Sequence, residues 1–175
     1  MDELALLNYI WDLRGKTNCT KLVGALTIEL LRKELSDLGL SVSSRDVFIE
    51  GVPYEIDLLI TKKEVIGEAN TVYHPSDVLA VLEIKFRGSY GTESNNHVKA
   101  VFDSVRAINT NIQCLYVALS ENRKYKHRAT SENLGYECFE LLTRDTNLES
   151  ALKKQTLKAT GDFLKLLTTL QRLNK

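Results

Sequence analysis

The spacing of hydrophobic residues changes several times along the chain, and each change predicts a new element of secondary structure. Apolar side chains recur at helical spacing in residues 4–13 and again in residues 20–38, which predicts two helices. The apolar arc of the second helix is wide, and Gly39 follows it as a stop signal. We therefore expect this helix to be covered on more than one side.

Shorter apolar runs in the middle of the chain predict β-strands. Residues 47–51 and 54–60 have the pattern of a strand, a turn and a returning strand. Residues 62–77 are polar and irregular, whereas residues 78–86 form an almost continuous apolar run. Such a run is typical of a central strand that is buried on both faces of its sheet.

The second half of the chain predicts a crossover unit. Residues 98–108 carry apolar side chains at helical spacing, and residues 112–119 form another apolar run. A buried strand, a helix and a second buried strand in this order predict parallel strands joined by the helix. A further strand is predicted at residues 136–142, followed by a helical tail at residues 148–173.

The whole order is therefore α-α-β-β-β-α-β-β-α, within a single α/β domain that spans residues 1–175. The C-terminal helix carries an apolar stripe made of Phe163, Leu166, Leu167 and Leu170. This stripe has two interpretations, because it either packs on the sheet or forms a two-fold interface in a homodimer.

The composition is that of a globular domain, with 43% hydrophobic and 26% charged residues. No apolar run approaches the roughly 18 residues that a membrane helix needs, so we expect no membrane partner. The sequence MDEL places acids where a secretory signal carries positive charge, which predicts a cytoplasmic protein. The formal net charge is +0, so any nucleic-acid binding must depend on a local patch.

Two charged residues interrupt the most apolar run of the chain. Glu83 and Lys85 lie two positions apart within residues 78–86. Because side chains alternate along a strand, both point to the same face, about 7 Å apart along the chain. Burial of a charge is costly unless the charge is paired or ligated. A structural ion pair is one interpretation of these residues, and a functional site is the other.

The preceding strand adds an acid to this face. Asp57 lies among apolar neighbours, and antiparallel pairing of the two strands places it beside Glu83 and Lys85. Two close carboxylates repel each other, and a divalent cation relieves the repulsion. Their hard oxygen atoms favour Mg²⁺ or Mn²⁺ as the cofactor. A lysine beside them can orient or deprotonate water, which suits attack on a phosphodiester.

The segments Glu-Ile-Asp at 55–57 and Glu-Ile-Lys at 83–85 together resemble the motif of the PD-(D/E)XK nuclease superfamily. The resemblance covers residues 24–119, and Ile56 stands where the superfamily motif has proline. It implies a restriction endonuclease-like fold, with a central mixed β-sheet flanked by helices in the core order α-β-β-β-α-β. It further implies a metal-dependent DNA endonuclease, with Asp57 and Glu83 as metal ligands and Lys85 as the residue that orients water.

Further acids are candidates for the metal site. Nucleases of this superfamily often supply a glutamate from the helix before the hairpin, and Glu29 lies near the expected distance. Glu34 lies later in the same helix, inside its apolar arc. Glu55 is predicted to share a strand face with Asp57. Each of these glutamates is interpreted either as a ligand or as a surface or boundary residue.

Basic side chains near the predicted site are candidates for contact with DNA phosphates. Arg87 follows Lys85 on the same strand face, and His97 and Lys99 open the next helix. A basic stretch around one tyrosine supplies Arg123, Lys124, Lys126 and Arg128. The same residues are equally typical of a solvated charged loop or an exposed start of a helix.

Three functions remain open from the sequence. The first is a metal-dependent DNA endonuclease of the restriction, repair or junction-resolving type. The second is a catalytically inactive nuclease-like module that binds DNA or a protein partner. The third is an unrelated α/β protein in which Glu83 and Lys85 form a buried ion pair.

Overall fold

A computed structural model describes residues 20–62, 71–85, 92–118, 135–141 and 161–173. The elements in these ranges are α1 (Thr20–Asp37), β1 (Phe48–Ile49), β2 (Leu58–Thr61), β3 (Val72–Tyr73), a 3-10 helix (Pro75–Asp77), β4 (Val78–Lys85), α2 (Thr92–Ile108), β5 (Gln113–Ala118), β6 (Glu137–Glu140) and α3 (Asp162–Leu173). The helix predicted at residues 4–13 lies outside the described residues.

The central sheet has four strands in the order β2-β4-β5-β6. β2 runs antiparallel to β4, whereas the β4–β5 and β5–β6 pairs are parallel. The predictions of a buried central strand and of a crossover are confirmed, because β4 lies inside the sheet and α2 connects it to β5. The predicted mixed sheet flanked by helices is confirmed as well.

Helices cover both faces of this sheet. One face carries Leu82 and Ile84 of β4 and packs against α1 and α3. The opposite face carries Val81 and packs against α2 through Val98 and Val101. Because neighbouring residues of a strand point to opposite faces, Glu83 and Lys85 lie on the α2 side. None of the helices in the described ranges is long and apolar enough to cross a membrane.

The predicted hairpin is only partly right. Val47 bridges Ile56 in the antiparallel sense, as expected for residues 47–51 and 54–60. However, β1 does not pair with β2 but pairs in parallel with β3, in a separate two-stranded sheet. The segment predicted as irregular therefore contains a strand. A strand of two residues is too short to show an alternating pattern in the sequence.

The apolar stripe of the C-terminal helix packs inside this chain. Phe163, Leu166 and Leu170 of α3 are buried in the cluster that lies on the sheet, and Leu167 is partly buried against it. Of the two interpretations of the stripe, the structure supports coverage of the sheet. A homodimer would therefore need a different surface from this stripe.

Candidate active site

The strand register brings Asp57 to the central strand. Leu58 of β2 pairs with Leu82 of β4, and extension of this antiparallel register by one residue places Asp57 opposite Glu83. The Oδ2 atom of Asp57 accepts a hydrogen bond of 2.6 Å from the backbone N–H of Ile84. Asp57 lies just before β2 begins, and this bond fixes its carboxylate against β4.

Lys85 bridges the two carboxylates. Its Nζ atom lies 3.1 Å from Oε2 of Glu83 and 3.4 Å from Oδ2 of Asp57. The side chains of Asp57 and Lys85 are 19% and 24% exposed, whereas that of Glu83 is only 2% exposed. The structure thus brings together the three residues predicted from the sequence, and we call them the acid–lysine cluster. Glu83 is therefore the deeply buried member of the cluster, and Asp57 and Lys85 are the members that solvent can reach.

Burial controls the charge state of the cluster. Burial raises the pKa of Glu83, the charge of Asp57 raises it further, and Lys85 lowers it; the net pKa is about 7. Burial also lowers the pKa of Lys85, but the charges of Glu83 and Asp57 outweigh this effect and raise the pKa overall. Lys85 is therefore an ammonium ion at neutral pH, while Glu83 is close to its midpoint of ionisation.

One oxygen of the cluster has no partner. The Oε1 atom of Glu83 is the one buried side-chain nitrogen or oxygen without a hydrogen-bond partner in the ranges that the structure describes. A buried polar atom left in this state costs about 1–3 kcal/mol. The cost persists in either protonation state, since an unpaired hydroxyl lacks an acceptor and an unpaired carboxylate oxygen lacks a donor. The atom is thus available to a ligand that enters the cluster.

The donor set of the cluster fits a small hard cation. Mg²⁺ is commonly bound through one or two carboxylates and keeps several waters, and Asp57 and Glu83 supply two carboxylates. Across the described part of the chain, no group of three His, Cys, Asp or Glu residues could hold a metal ion. Because the cluster supplies two carboxylates, a cation held there would keep several water ligands, as Mg²⁺ commonly does in proteins.

Comparison with solved structures relates this architecture to NucC. The P. aeruginosa ATCC27853 NucC in its cAAA-bound form aligns with a TM-score of 0.69 at 10% identity, over 99% of this chain and 89% of that one. The chain has a NucC-like fold. The E. coli MS115-1 NucC aligns with a TM-score of 0.69 in its cAAA-bound form, at 9% identity over 99% of this chain and 88% of that one. Its apo form aligns with a TM-score of 0.57, at 14% identity over 97% of this chain and 89% of that one.

Comparison of the whole sequence found no relative: no protein-family model matches the chain, and no curated protein matches it. The likeness to NucC is therefore a likeness of fold. Its three-dimensional elements, rather than its residue identities, carry the likeness.

Sequence reasoning missed one wall of the site in this NucC-like fold. The parallel register pairs Glu83 of β4 with Tyr116 of β5, and Tyr116 in turn with Cys138 of β6. Tyr116 is only 1% exposed, and burial, with nearby negative charges that include Glu83, raises its pKa. Its neutral ring helps to exclude water from Glu83. The apolar run of residues 112–119 identified a buried strand but contains no signal for the register.

The three additional acids have surroundings different from those of the acid–lysine cluster. Glu29 is 38% exposed and pairs with Arg32 at 2.8 Å and with Arg45 at 4.0 Å. Glu34 is buried in α1, which packs on the sheet face opposite Glu83. Glu55 is exposed and precedes β2 instead of lying within it. Among the residues described, no hydrogen bond or ion pair joins Glu29 or Glu55 to the cluster.

Two of the predicted phosphate contacts fall in described segments. His97 is exposed on α2, with its ring against that of Tyr54. Lys99 is also exposed, but its ammonium is hydrogen-bonded to the carboxylate of Asp103. The remaining five candidates lie outside the described residues: Arg87, Arg123, Lys124, Lys126 and Arg128.

Proposed function

We propose that this chain is a metal-dependent DNA endonuclease of the PD-(D/E)XK type. The observation that carries the proposal is the buried Oε1 atom of Glu83, which lacks a partner beside Asp57 and Lys85. The likeness in fold to the NucC nucleases supports the same conclusion. In this proposal Asp57 and Glu83 hold Mg²⁺ or Mn²⁺, and Lys85 acts on the attacking water.

Each residue of the cluster has a distinct task. A divalent cation bound here supplies Lewis acidity toward the phosphodiester and its attacking water. Asp57 is held in orientation by the Ile84 N–H, and Glu83 presents its unpartnered oxygen. Lys85 carries a positive charge within reach of both carboxylates, so it orients the water and stabilises negative charge that develops on the phosphoryl oxygens.

The unpartnered oxygen favours catalysis over the two alternatives. A structural ion pair between Glu83 and Lys85 needs only the Oε2 contact, and it leaves the cost of the buried Oε1 unexplained. An inactive DNA- or protein-binding module would gain stability if apolar residues replaced the cluster. A ligand that binds at the cluster explains why two acids and a lysine lie together beside a buried strand.

Metal binding and cleavage test the proposal together. Wild-type protein should nick or linearise plasmid DNA in Mg²⁺ or Mn²⁺ and lose this activity in EDTA. In calorimetry, Asp57→Asn should bind Mn²⁺ at least about tenfold more weakly, the usual scale for a disturbed metal site. Asp103→Asn is the matched control, because Asp103 is an exposed acid on α2 that lies outside the cluster. Equal Mn²⁺ affinity in wild type and Asp57→Asn would contradict the metal assignment.

The proposal places the enzyme in the cytoplasm, where its substrate would be DNA. Cys114 is a buried free thiol, and free thiols persist in a reducing compartment. Its burial raises the pKa to about 11, so the thiol stays protonated and unreactive. These properties agree with a structural role for Cys114 in a reduced cytoplasmic protein.

We also propose a homodimer, because one active site cuts one strand of a duplex and a two-fold pair can cut both. The exposed surface would supply the interface, since the stripe on α3 is already covered by the sheet. Sedimentation of the protein at micromolar concentration, with and without duplex DNA, measures this association. A monomer under both conditions would exclude the dimer and would leave the metal assignment intact.

A further inference from the structure

We infer that His97, positioned by Tyr54, contacts a backbone phosphate of the DNA close to the scissile bond. This inference rests on the proposed function, since it concerns how that same site holds its substrate. The two rings meet almost at a right angle, with an interplanar angle of 87° and 5.7 Å between their centroids. This edge-to-face arrangement is one that aromatic rings favour.

The ring pair lies on the same side of the sheet as the acid–lysine cluster. Tyr54 packs against the apolar cluster beneath α2, and Val98, the neighbour of His97, belongs to that cluster. Glu83 and Lys85 face the same layer because they alternate with Leu82 and Ile84, which face the other. DNA that reaches the cluster from this side therefore passes α2.

The chain limits the distance between Tyr54 and the cluster. Tyr54 lies three positions before Asp57, so their Cα atoms lie within about 11 Å of each other. A DNA strand advances about 3.4 Å per nucleotide along the helix axis. The ring pair is thus within a few nucleotides of a phosphate bound at Asp57. That is the distance at which a contact controls the position of the scissile bond.

His97 has the chemistry for such a contact. An imidazole ring donates an N–H to an anionic oxygen, and within the described residues no hydrogen bond or ion pair occupies the His97 ring. Lys99 lies two residues further on, but Asp103 already pairs with its ammonium. Tyr54 is half-buried and holds the exposed imidazole at a fixed angle, so Tyr54 is a positioning residue and His97 the contact residue.

Steady-state cleavage of a short labelled duplex tests the inference. His97→Ala should raise KM about tenfold with kcat nearly unchanged, the effect of losing one hydrogen bond to a charged group that is present throughout the reaction. His74→Ala is the matched control. His74 is another exposed histidine, and its ring is hydrogen-bonded to the hydroxyl of Ser76. It precedes β4, whose first residue lies about 23 Å along the strand from Lys85. This control should leave KM unchanged.

Two further measurements identify the contact. A single uncharged methylphosphonate, moved along the duplex, should raise KM for wild type at one position and have no added effect on His97→Ala there. Tyr54→Leu should raise KM like His97→Ala, and the double variant should be no worse than either one, as expected for coupled residues. Thermal melts establish that Tyr54→Leu is folded, and the exposed His97 provides a test that does not depend on that result.

The outcomes separate this inference from the proposed function. Active wild type with a KM that His97→Ala does not change overturns the phosphate contact and leaves the nuclease assignment standing. Additive effects of the methylphosphonate and His97→Ala at every position also overturn it. Wild type that cleaves no DNA in Mg²⁺ or Mn²⁺ overturns both.

Discussion

Two groups of charged residues in this protein have nearly the same composition and opposite properties. The acid–lysine cluster joins Lys85 to two carboxylates and lies beside Tyr116 in the sheet. A second group, which we call the helix-surface cluster, joins Lys99, Asp103 and Arg106 of α2 to Tyr136. Lys99 and Asp103 are 46% and 50% exposed, far more than any member of the first cluster.

The helix-surface cluster satisfies the polar groups that it gathers. The hydroxyl of Tyr136 donates to Oδ1 of Asp103 at 3.2 Å, while the other oxygen of Asp103 accepts from Lys99. Arg106 donates to the carbonyl of Gly135 at 2.9 Å and stands 4.9 Å from the centroid of the Tyr136 ring. These bonds attach the start of β6 to α2. By contrast, the acid–lysine cluster leaves one oxygen of Glu83 unpaired in the interior.

The same pairing of an acid with a lysine therefore has opposite electrostatic results. The hydrogen bond from Lys99 outweighs the opposing effect of burial and lowers the pKa of Asp103, whose side chain is half exposed. Burial raises the pKa of Glu83 despite the contact with Lys85. Burial is the leading cause of the shift at Glu83, whereas the hydrogen bond from Lys99 is the leading cause at Asp103. Burial of charged groups destabilises a protein, so a buried group of charges with a shifted pKa is a candidate functional site.

The largest expected effect tests catalysis by Lys85. Lys85→Met keeps the length of the side chain but removes its charge, so cleavage should fall by about a hundredfold or more while DNA binding persists. Single-turnover cleavage measures the loss, and a thermal melt establishes that the variant is folded. Lys33→Met, at an exposed lysine of α1 that pairs with Asp37, should cleave like wild type. A Lys85→Met protein that melts early but cuts at the wild-type rate would reduce Lys85 to a structural partner of Glu83.

The second effect concerns the stability of the metal-free protein. The pKa of Glu83 rises on folding from 4.5 to about 7, so between these values the folded state holds more protons than the unfolded state. The free energy of unfolding should therefore decrease as pH rises through this window, by at most about 1.4 kcal/mol for each pH unit. Glu83→Gln should lack this decrease. Urea titrations in EDTA at several pH values measure the free energy of unfolding. Parallel pH curves for wild type and Glu83→Gln would disprove the contribution of Glu83.

A smaller effect is expected from the hydroxyl of Tyr136. Tyr136→Phe keeps the ring, which packs edge-to-face on Phe102 at 4.8 Å, and removes the bonds to Asp103 and to the carbonyl of Lys99. Stability should fall by about 1 kcal/mol, the net worth of an ordinary hydrogen bond. The rate of cleavage should not change. If this variant lost activity without losing stability, the helix-surface cluster would belong to the active site.

The smallest effect is expected for the stability of Lys99→Met. The pair of Lys99 with Asp103 is exposed, and exposed pairs contribute about 0.2–1 kcal/mol. High salt should reduce the difference between wild type and variant, because it screens the attraction. Urea denaturation at low and high salt measures the contribution. A loss of several kcal/mol would mean that the two clusters do not differ in the way that their exposure indicates.

Alternation of side chains was sufficient to predict that Glu83 and Lys85 share a face of an apolar strand. The placement of Asp57 beside them rested on an assumed antiparallel pair and on the resemblance of the two motif segments. The structure supplies the register that brings Asp57 opposite Glu83. The buried central strand, the crossover helix and its return followed from the same kind of pattern.

Features that depend on register or on very short elements could not be predicted. The pairing of β1 with β3 involves two residues in each strand, too few for a period. Tyr116 faces Glu83 because of the parallel register of β4 and β5, about which the apolar runs carry no information. The ion pair of Glu29 with Arg45 could likewise not be predicted, because Arg45 follows α1 in a segment without a repeating pattern.

The bond between Asp57 and the backbone of Ile84 makes the acid–lysine cluster depend on the correct pairing of β2 with β4. Asp57 comes from one side of the β2–β4 pair and Glu83 with Lys85 from the other, and a slip of one residue would turn Asp57 to the opposite face of the sheet. Under the proposed function, a newly made chain would therefore not cleave the DNA around it until this strand pair has formed correctly. Cleavage activity would then report the correct pairing of β2 with β4, and a misfolded copy would not cut DNA.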